Sequence, residues 1–228
     1  KYARYAFRKH FFQHAGFRYV ESSMTTNTFD NVYEEDFQVA QYLEFHYGDE
    51  CFETPNFPKA CIDYCRPFYK SGKSKKRALD IGCAVGRSTF ELATDFDHVA
   101  GIDFTARFIA KAQEMSSKGF VEYLRLEEGH LSEKMTRKLE EFSNTSVAKK
   151  CEFYQADACN MPEKFKNYDF VFAGNLIDRL YSPQKFLKSI HELINSEGIL
   201  VLTSPYTWLE EFTPVDEWPG DIKDRAGN

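Results

Sequence analysis

From Arg77 onward the chain alternates short apolar runs with helical patterns, and few folds accommodate that alternation. The apolar runs are 77–82 (RALDIG), 98–102 (HVAGI), 151–155 (CEFYQ), 168–173 (YDFVFA) and 198–203 (GILVLT). Runs this short and this apolar suit strands covered on both faces, because a half-exposed strand alternates in polarity instead. Helical patterns lie between them near 87–94, 105–117 and 183–194. Strand–helix alternation of this kind specifies βα units on a parallel sheet. The 183–194 segment carries its own start and stop. Ser182 suits a cap and Pro183 the first turn, Phe186, Leu187, Ile190 and Ile194 form one stripe, and Gly198 follows the end. Residues 120–150 are long for a crossover and, rich in Glu and Lys, read as an inserted helical segment.

Upstream the pattern is less regular. Residues 1–20 are dense in aromatics and arginine and read as the strand-rich tail of a preceding domain. Residues 21–31 (ESSMTTNTFDN) are polar and turn-like, as a linker would be. Residues 33–47 suit an amphipathic helix with Val39, Leu43 and His46 or Tyr47 on one side. Residues 48–72 carry Pro55, Pro58, Pro67 and two glycines, so a loop with one short helix near 60–65 is expected. The expected organisation is a tail at 1–20, a linker and helical cap at 21–75, and the main domain at 76–228.

Composition narrows the function. The net charge is -6, and the basic residues Lys73, Lys75, Lys76 and Arg77 form a single short run, read as a solvated lead-in to the first strand. A nucleic-acid binder would show a basic face, so none is expected as a partner. No apolar stretch approaches membrane-spanning length and no signal peptide is evident, so a cytoplasmic location without membrane contact is expected. Cys61 and Cys65 lie one helical turn apart with no second pair to complete a zinc set, and the six cysteines read as reduced thiols. His10 and His14 have helical spacing but sit in the strand-like tail, and no metal is expected.

The strongest local signal is Asp80-Ile81-Gly82-Cys83-Ala84-Val85-Gly86-Arg87-Ser88, a strand running through a small-residue loop into a helix. Small residues let backbone approach a ligand, and on a doubly wound sheet this loop lies at the carboxyl edge, where ligands bind. A dinucleotide fingerprint would need a small residue where Arg87 stands, which disfavours a nicotinamide oxidoreductase. Small residues fall instead at Gly82, Ala84 and Gly86, a spacing that resembles motif I of class I methyltransferases. Asp103 ends the next strand, where a carboxylate can accept both hydroxyls of a ribose, and Phe104 beside it can pack on an adenine ring. Asp157, between Ala156 and Ala158 after the third strand, can accept from the adenine amino group. The last two strand ends run into polar and aromatic loops, Gly174–Tyr181 and Thr203–Phe212. There Asn175, Asp178, Arg179, Tyr206 and Trp208 could fix an amino-acid carboxylate, an amine and a flat ring. The alternative for Asp178 and Arg179 is a local ion pair, and for Trp208 a place in the core.

Several segments together resemble the ovothiol synthase family. RALDIGCAVGRSTFELA, GIDFTARFI, QADACNMP, NLIDRLYSPQKFL and LTSPYTWLEEFTP are similar to its methyltransferase domain, as is VAQYLEFHYGDE upstream. RYAFRKHFFQHAGFRYV resembles the end of the family's sulfoxide-synthase domain. The resemblance implies an α/β, Rossmann-like class I methyltransferase with a mostly parallel sheet and an N-terminal helical cap. Because the residues after Ser204 lack the alternation of two strands, the last two strands of that fold are expected to be missing.

The resemblance also implies S-adenosyl-L-methionine as cofactor, 5-thiohistidine (4-mercaptohistidine) as the small-molecule substrate, and the N-terminal sulfoxide-synthase domain as partner. Asp80, Gly82, Cys83, Ala84 and Gly86 would then hold the cofactor with Asp103, Phe104, Asp157, Ala158 and Asn175. Asn175, Asp178 and Tyr206 are the candidate catalytic residues, and Tyr47, Arg179, Tyr206 and Trp208 the candidate substrate contacts. The competing readings are a degenerate, non-catalytic module that supports a sulfoxide-synthase domain, and a methyltransferase for another small molecule.

Overall fold

A computed structural model describes residues 35–50, 54–70 and 77–219. The tail at 1–20 with its two histidines, the linker at 21–31, Cys51, the lysines at 73, 75 and 76, and residues 220–228 lie outside the described residues.

Five parallel strands form the centre: β1 (Arg77–Ile81), β2 (His98–Asp103), β5 (Cys151–Gln155), β6 (Tyr168–Gly174) and β7 (Ile194–Thr203), in the order β5-β2-β1-β6-β7. β1 is central and almost wholly buried, and its register pairs Leu79 with Ala100 on one side and with Val171 on the other. The chain steps outward from β1 through β2 to β5, then crosses to the other side for β6 and β7. The reversal falls between β1 and β6, which makes their carboxyl ends the ligand crevice of such a sheet. The helices are α1 (Asp36–Tyr47), α2 (Phe57–Lys70), α3 (Arg87–Leu92), α4 (Ala106–Lys118) and α5 (Pro183–Ser189).

One core cluster joins α1, α2, α3 and α4 to one face of the sheet, through Leu43, Ile62, Phe90, Phe108, Phe153 and Phe170 among others. A second covers the opposite face with Phe165, Tyr168, Phe186, Ile190 and Leu193. α1 buries Val39, Leu43, His46 and Tyr47, the side the periodicity marked. Burial of His46 and the neighbouring Arg87 push its imidazole down to about 3, so it packs in its neutral form.

Three expectations are corrected. Residues 120–138 are not helical: β3 (Phe120–Glu128) and β4 (Leu131–Lys138) form an antiparallel hairpin, followed by two short 3-10 turns. Val121 and Tyr123 face inward while Glu122 and Leu124 face outward, a period of two that the Glu and Lys content obscured. Gly129 turns the hairpin at a φ of 58°, and the charges pair across it, Lys134 with Glu122 and Arg125 with Glu133.

Second, α2 is a full fourteen-residue helix rather than a loop with one short helix near 60–65. Asn56 caps it by accepting from the Lys59 N–H, and Pro58 sits in the first turn, where no N–H is missed. Third, α5 stops at Ser189 and its last turn tightens into a 3-10 turn at Ile190–Leu193. That brings Ile194 opposite Tyr168, so β7 starts early and bulges before Ile199 pairs with Phe170.

Candidate active site

β1 delivers its carboxyl end into the loop Gly82–Gly86. Gly82, Ala84 and Gly86 all take left-handed backbone, with φ of 72°, 47° and 95°. At Gly86 a Cβ would stand 2.9 Å from the Phe153 ring and 3.0 Å from Ala112, so only glycine fits the approach of α3 to the sheet. Ala84 holds the same region with a Cβ, at a steric cost the surroundings must offset. The loop is tied back to β2: the N–H groups of Gly82 and Cys83 donate to the Ile102 carbonyl at 2.8 and 2.9 Å. Cys83 is fully buried and its thiol is pushed well up, mainly by burial, so it packs rather than reacts.

Two carboxylates flank this loop. Asp80 is buried, and one oxygen accepts from Ser88 Oγ at 2.6 Å and Thr89 Oγ1 at 2.7 Å. Its other oxygen, Oδ1, is buried without a protein partner. Burial raises the carboxyl to about 6, the two hydroxyls oppose the rise, and Asp103 adds to it. Asp103, at the end of β2, turns toward the loop: Oδ2 accepts from the Ala84 N–H and Oδ1 from the Thr105 N–H, both at 2.9 Å. A carboxylate oxygen can accept more than one hydrogen bond. Phe104 next to it leaves 61% of its surface exposed at this edge. Ala158 is buried after β5. Asp157 beside it accepts from the Cys159 N–H at 2.8 Å and from the Tyr181 hydroxyl at 2.9 Å.

The loops after β6 and β7 are joined to each other. Asn175 stands in left-handed backbone at φ 53°; its N–H donates to Thr203, and its side-chain oxygen accepts from Thr203 Oγ1 at 3.1 Å. Asp178 is fully buried and holds Arg179 at 3.0 Å and Thr207 through both the hydroxyl and the N–H. Arg179 adds a bond to the Thr207 carbonyl at 2.8 Å and lies over the Phe212 ring. Trp208 stacks on Trp218 with centroids 6.3 Å apart. Tyr206 is different: at φ 56° it is held in backbone that bulky residues rarely adopt, and 79% of it is exposed. Tyr47 does not stand beside these loops. It is buried, and its hydroxyl donates to the Val85 carbonyl in the glycine loop at 2.6 Å.

Thr203, Thr207 and Tyr181 escaped the sequence reading, and each is a polar side chain that grips one of the named residues. A hydroxyl at the last position of a strand, next to an Asn just past the end of its neighbour, was the available signal for Thr203.

A family model described as "Methyltransferase domain" matches residues 79–202, a little over half of the 228 residues. The chain belongs to this methyltransferase-domain family. Its methyl donor is accordingly S-adenosylmethionine, and the residues fit that group: a buried acceptor without a partner at Asp80, and an acid aimed at the glycine loop from the end of β2.

Among solved structures the methyltransferase domain resembles the [4+2]-cyclase SpnF, at 15% identity and a TM-score of 0.50 over 74% of this chain and 60% of that one. It also resembles the MccD protein, at 20% identity and a TM-score of 0.46 over 64% and 52%. The YcgJ protein from Bacillus subtilis follows at 13% identity and 0.45 over 63% and 50%. The match thus spans about half the length of the last two. These likenesses bear on the fold alone. No curated protein sequence matches the chain significantly. Among the described residues no helix is long and apolar enough to cross a membrane, and no cluster of His, Cys, Asp or Glu is arranged to hold a metal ion.

Proposed function

We propose that the methyltransferase domain methylates a ring nitrogen of 5-thiohistidine to give ovothiol A, and that in a longer protein it follows a sulfoxide-synthase domain ending near residue 20. The observation that carries this reading is the pair of loops Gly174–Tyr181 and Thr203–Phe212. Their sequence runs NLIDRLY and SPYTWLEE are the specific part of the family resemblance, and their side chains interlock at the carboxyl edge beside the cofactor loop.

When bound, the cofactor supplies an electrophilic methyl on a sulfonium, already activated toward displacement. The domain's own residues then bind, orient and exclude water. Asp103 would accept from the ribose hydroxyls, Phe104 would pack on the adenine ring, and Asp157 with Ala158 would receive the adenine edge. Asp80 Oδ1 would accept from the ammonium of the methionine part, and Gly82, Cys83, Ala84 and Gly86 would let the backbone come close to it. Asn175, at the switch point, would contact the cofactor and help to orient the acceptor.

Tyr206 is the side chain free to meet the acceptor ring, and its phenol orients the imidazole through the nitrogen that does not react. Asp178 and Arg179 act behind it, holding Thr207 and so the backbone that presents Tyr206, while Trp208 and Trp218 brace the far end of the loop. The attacking nitrogen uses the lone pair of a neutral imidazole or its thiolate form, so no strong base is required. The chemistry would be a displacement in which N–CH3 forms as S–CH3 breaks, with S-adenosylhomocysteine as the leaving group, and the acceptor's ring proton would pass to solvent.

Mass spectrometry of 5-thiohistidine incubated with the chain and S-adenosylmethionine tests the proposal. Gain of one methyl on the ring supports it. Methylation of other thioimidazoles or amines but not of 5-thiohistidine would reassign the acceptor. Binding of S-adenosylhomocysteine without turnover of any such compound would favour a supporting, non-catalytic module.

A further inference from the structure

Tyr47 leads away from the acceptor loops, and its surroundings give it another task. Its hydroxyl makes a buried 2.6 Å bond to the Val85 carbonyl, thirty-eight residues away, and its ring packs on Phe142 with centroids 5.1 Å apart. Val85 lies between Ala84 and Gly86, the last two of three left-handed positions in the loop. Of those three, Ala84 alone carries a Cβ, and its N–H is the one that Asp103 Oδ2 accepts from. α1 is fastened at this end from several sides. Arg87 donates to the His46 carbonyl at 3.1 Å, Asn56 donates to the same carbonyl at 2.9 Å, and Arg87 is itself held by Glu91 at 2.9 Å.

We infer that Tyr47 is a positioning residue for the cofactor: from a fastened helix end it pins the Val85 carbonyl and so keeps Ala84 left-handed, with its N–H on Asp103. The inference rests on the assignment of the glycine loop and Asp103 to S-adenosylmethionine. An L-residue gains by leaving the left-handed region. Without the pin, Ala84 relaxes, its N–H leaves Asp103, and the carboxylate loses the orientation in which it meets a ribose. Glycine at position 84 has no such preference and keeps the loop shape without help.

The test is titration of the full chain with S-adenosylhomocysteine as wild type, Tyr47→Phe, Ala84→Gly and the double variant. Tyr47→Phe keeps the ring on Phe142 and removes only the hydroxyl. The expected result is affinity about tenfold weaker in Tyr47→Phe than in wild type, but no more than about threefold weaker in the double variant than in Ala84→Gly. A residue that merely supports the fold would not be rescued by glycine at position 84. Unchanged affinity in Tyr47→Phe, or no recovery in the double variant, overturns the inference. Absence of binding by the wild type would instead sink the cofactor assignment beneath it. Hydrogen exchange of the ligand-free chain gives a reading without ligand. Faster exchange confined to residues 82–86 in Tyr47→Phe supports the pin, and unchanged or uniformly raised exchange overturns it.

Discussion

At the scale of single residues, the buried acid beside the glycine loop ties cofactor affinity to pH. Asp80 has its carboxyl raised from 3.8 to about 6 by burial. A carboxyl whose folded value lies above its unfolded one stabilises the fold while protonated. That contribution is complete below about pH 4 and is lost as pH rises through about 6, on the order of 3 kcal/mol. A ligand ammonium at Oδ1 favours the opposite, ionised form. S-adenosylhomocysteine affinity is therefore expected to be roughly tenfold weaker at pH 5 than at pH 7, with proton release on binding. Calorimetric titration in buffers of different ionisation enthalpy checks both, and a flat profile would remove Asp80 from the site. Asp103→Ala should weaken the same affinity by about 2 kcal/mol or more, since it loses the acceptor for two hydroxyls together with its hold on Ala84. Equal affinity in wild type and variant would reject the ribose role.

Among elements, the instructive contrast is between those the sequence announced and those it hid. β1, β2, β5 and β6 lie where the apolar runs put them; β1 and β2 are almost wholly buried, and the edge strand β5 alternates Cys151 and Phe153 inward with Glu152 outward. α2 was hidden by its prolines, although Asn56 followed by Phe57 and Pro58 is a helix start. The β3–β4 hairpin was hidden because both of its outer edges are charged, which composition cannot tell from an exposed helix. At the candidate site, the positions of the loop, Asp80 and Asp103 at neighbouring strand ends were legible from spacing, and so was the local ion pair of Asp178 with Arg179 as an alternative. The bonds from Asp178 to Thr207 and from Tyr47 to Val85 were not, since each depends on a partner about thirty or more residues distant. The joint between the loops after β6 and β7 makes its own prediction. Asp178→Ala leaves Arg179 without its carboxylate and should lower stability by about 3 kcal/mol in urea unfolding. It should also raise KM for the acceptor while S-adenosylhomocysteine affinity holds; a loss of cofactor affinity alone would move Asp178 to the other half of the site.

For the molecule as a whole, the proposed cofactor loop is also the junction of β1, β2 and α3, so binding there would be coupled to folding. S-adenosylhomocysteine at about a hundred times its Kd should contribute about 2.7 kcal/mol, a rise in Tm of roughly 5–10 °C for a chain of this size. A thermal melt with and without the compound measures it, and no shift would mean that the sheet's carboxyl edge does not take the ligand. The division of labour across the sheet has an evolutionary corollary. The buried carboxylate of Asp178, just past β6, clasps the backbone that follows β7. Two stretches of sequence nearly thirty residues apart are thereby obliged to drift in concert. A chimera that swaps both keeps the clasp, whereas one that swaps either alone inherits an orphaned anion.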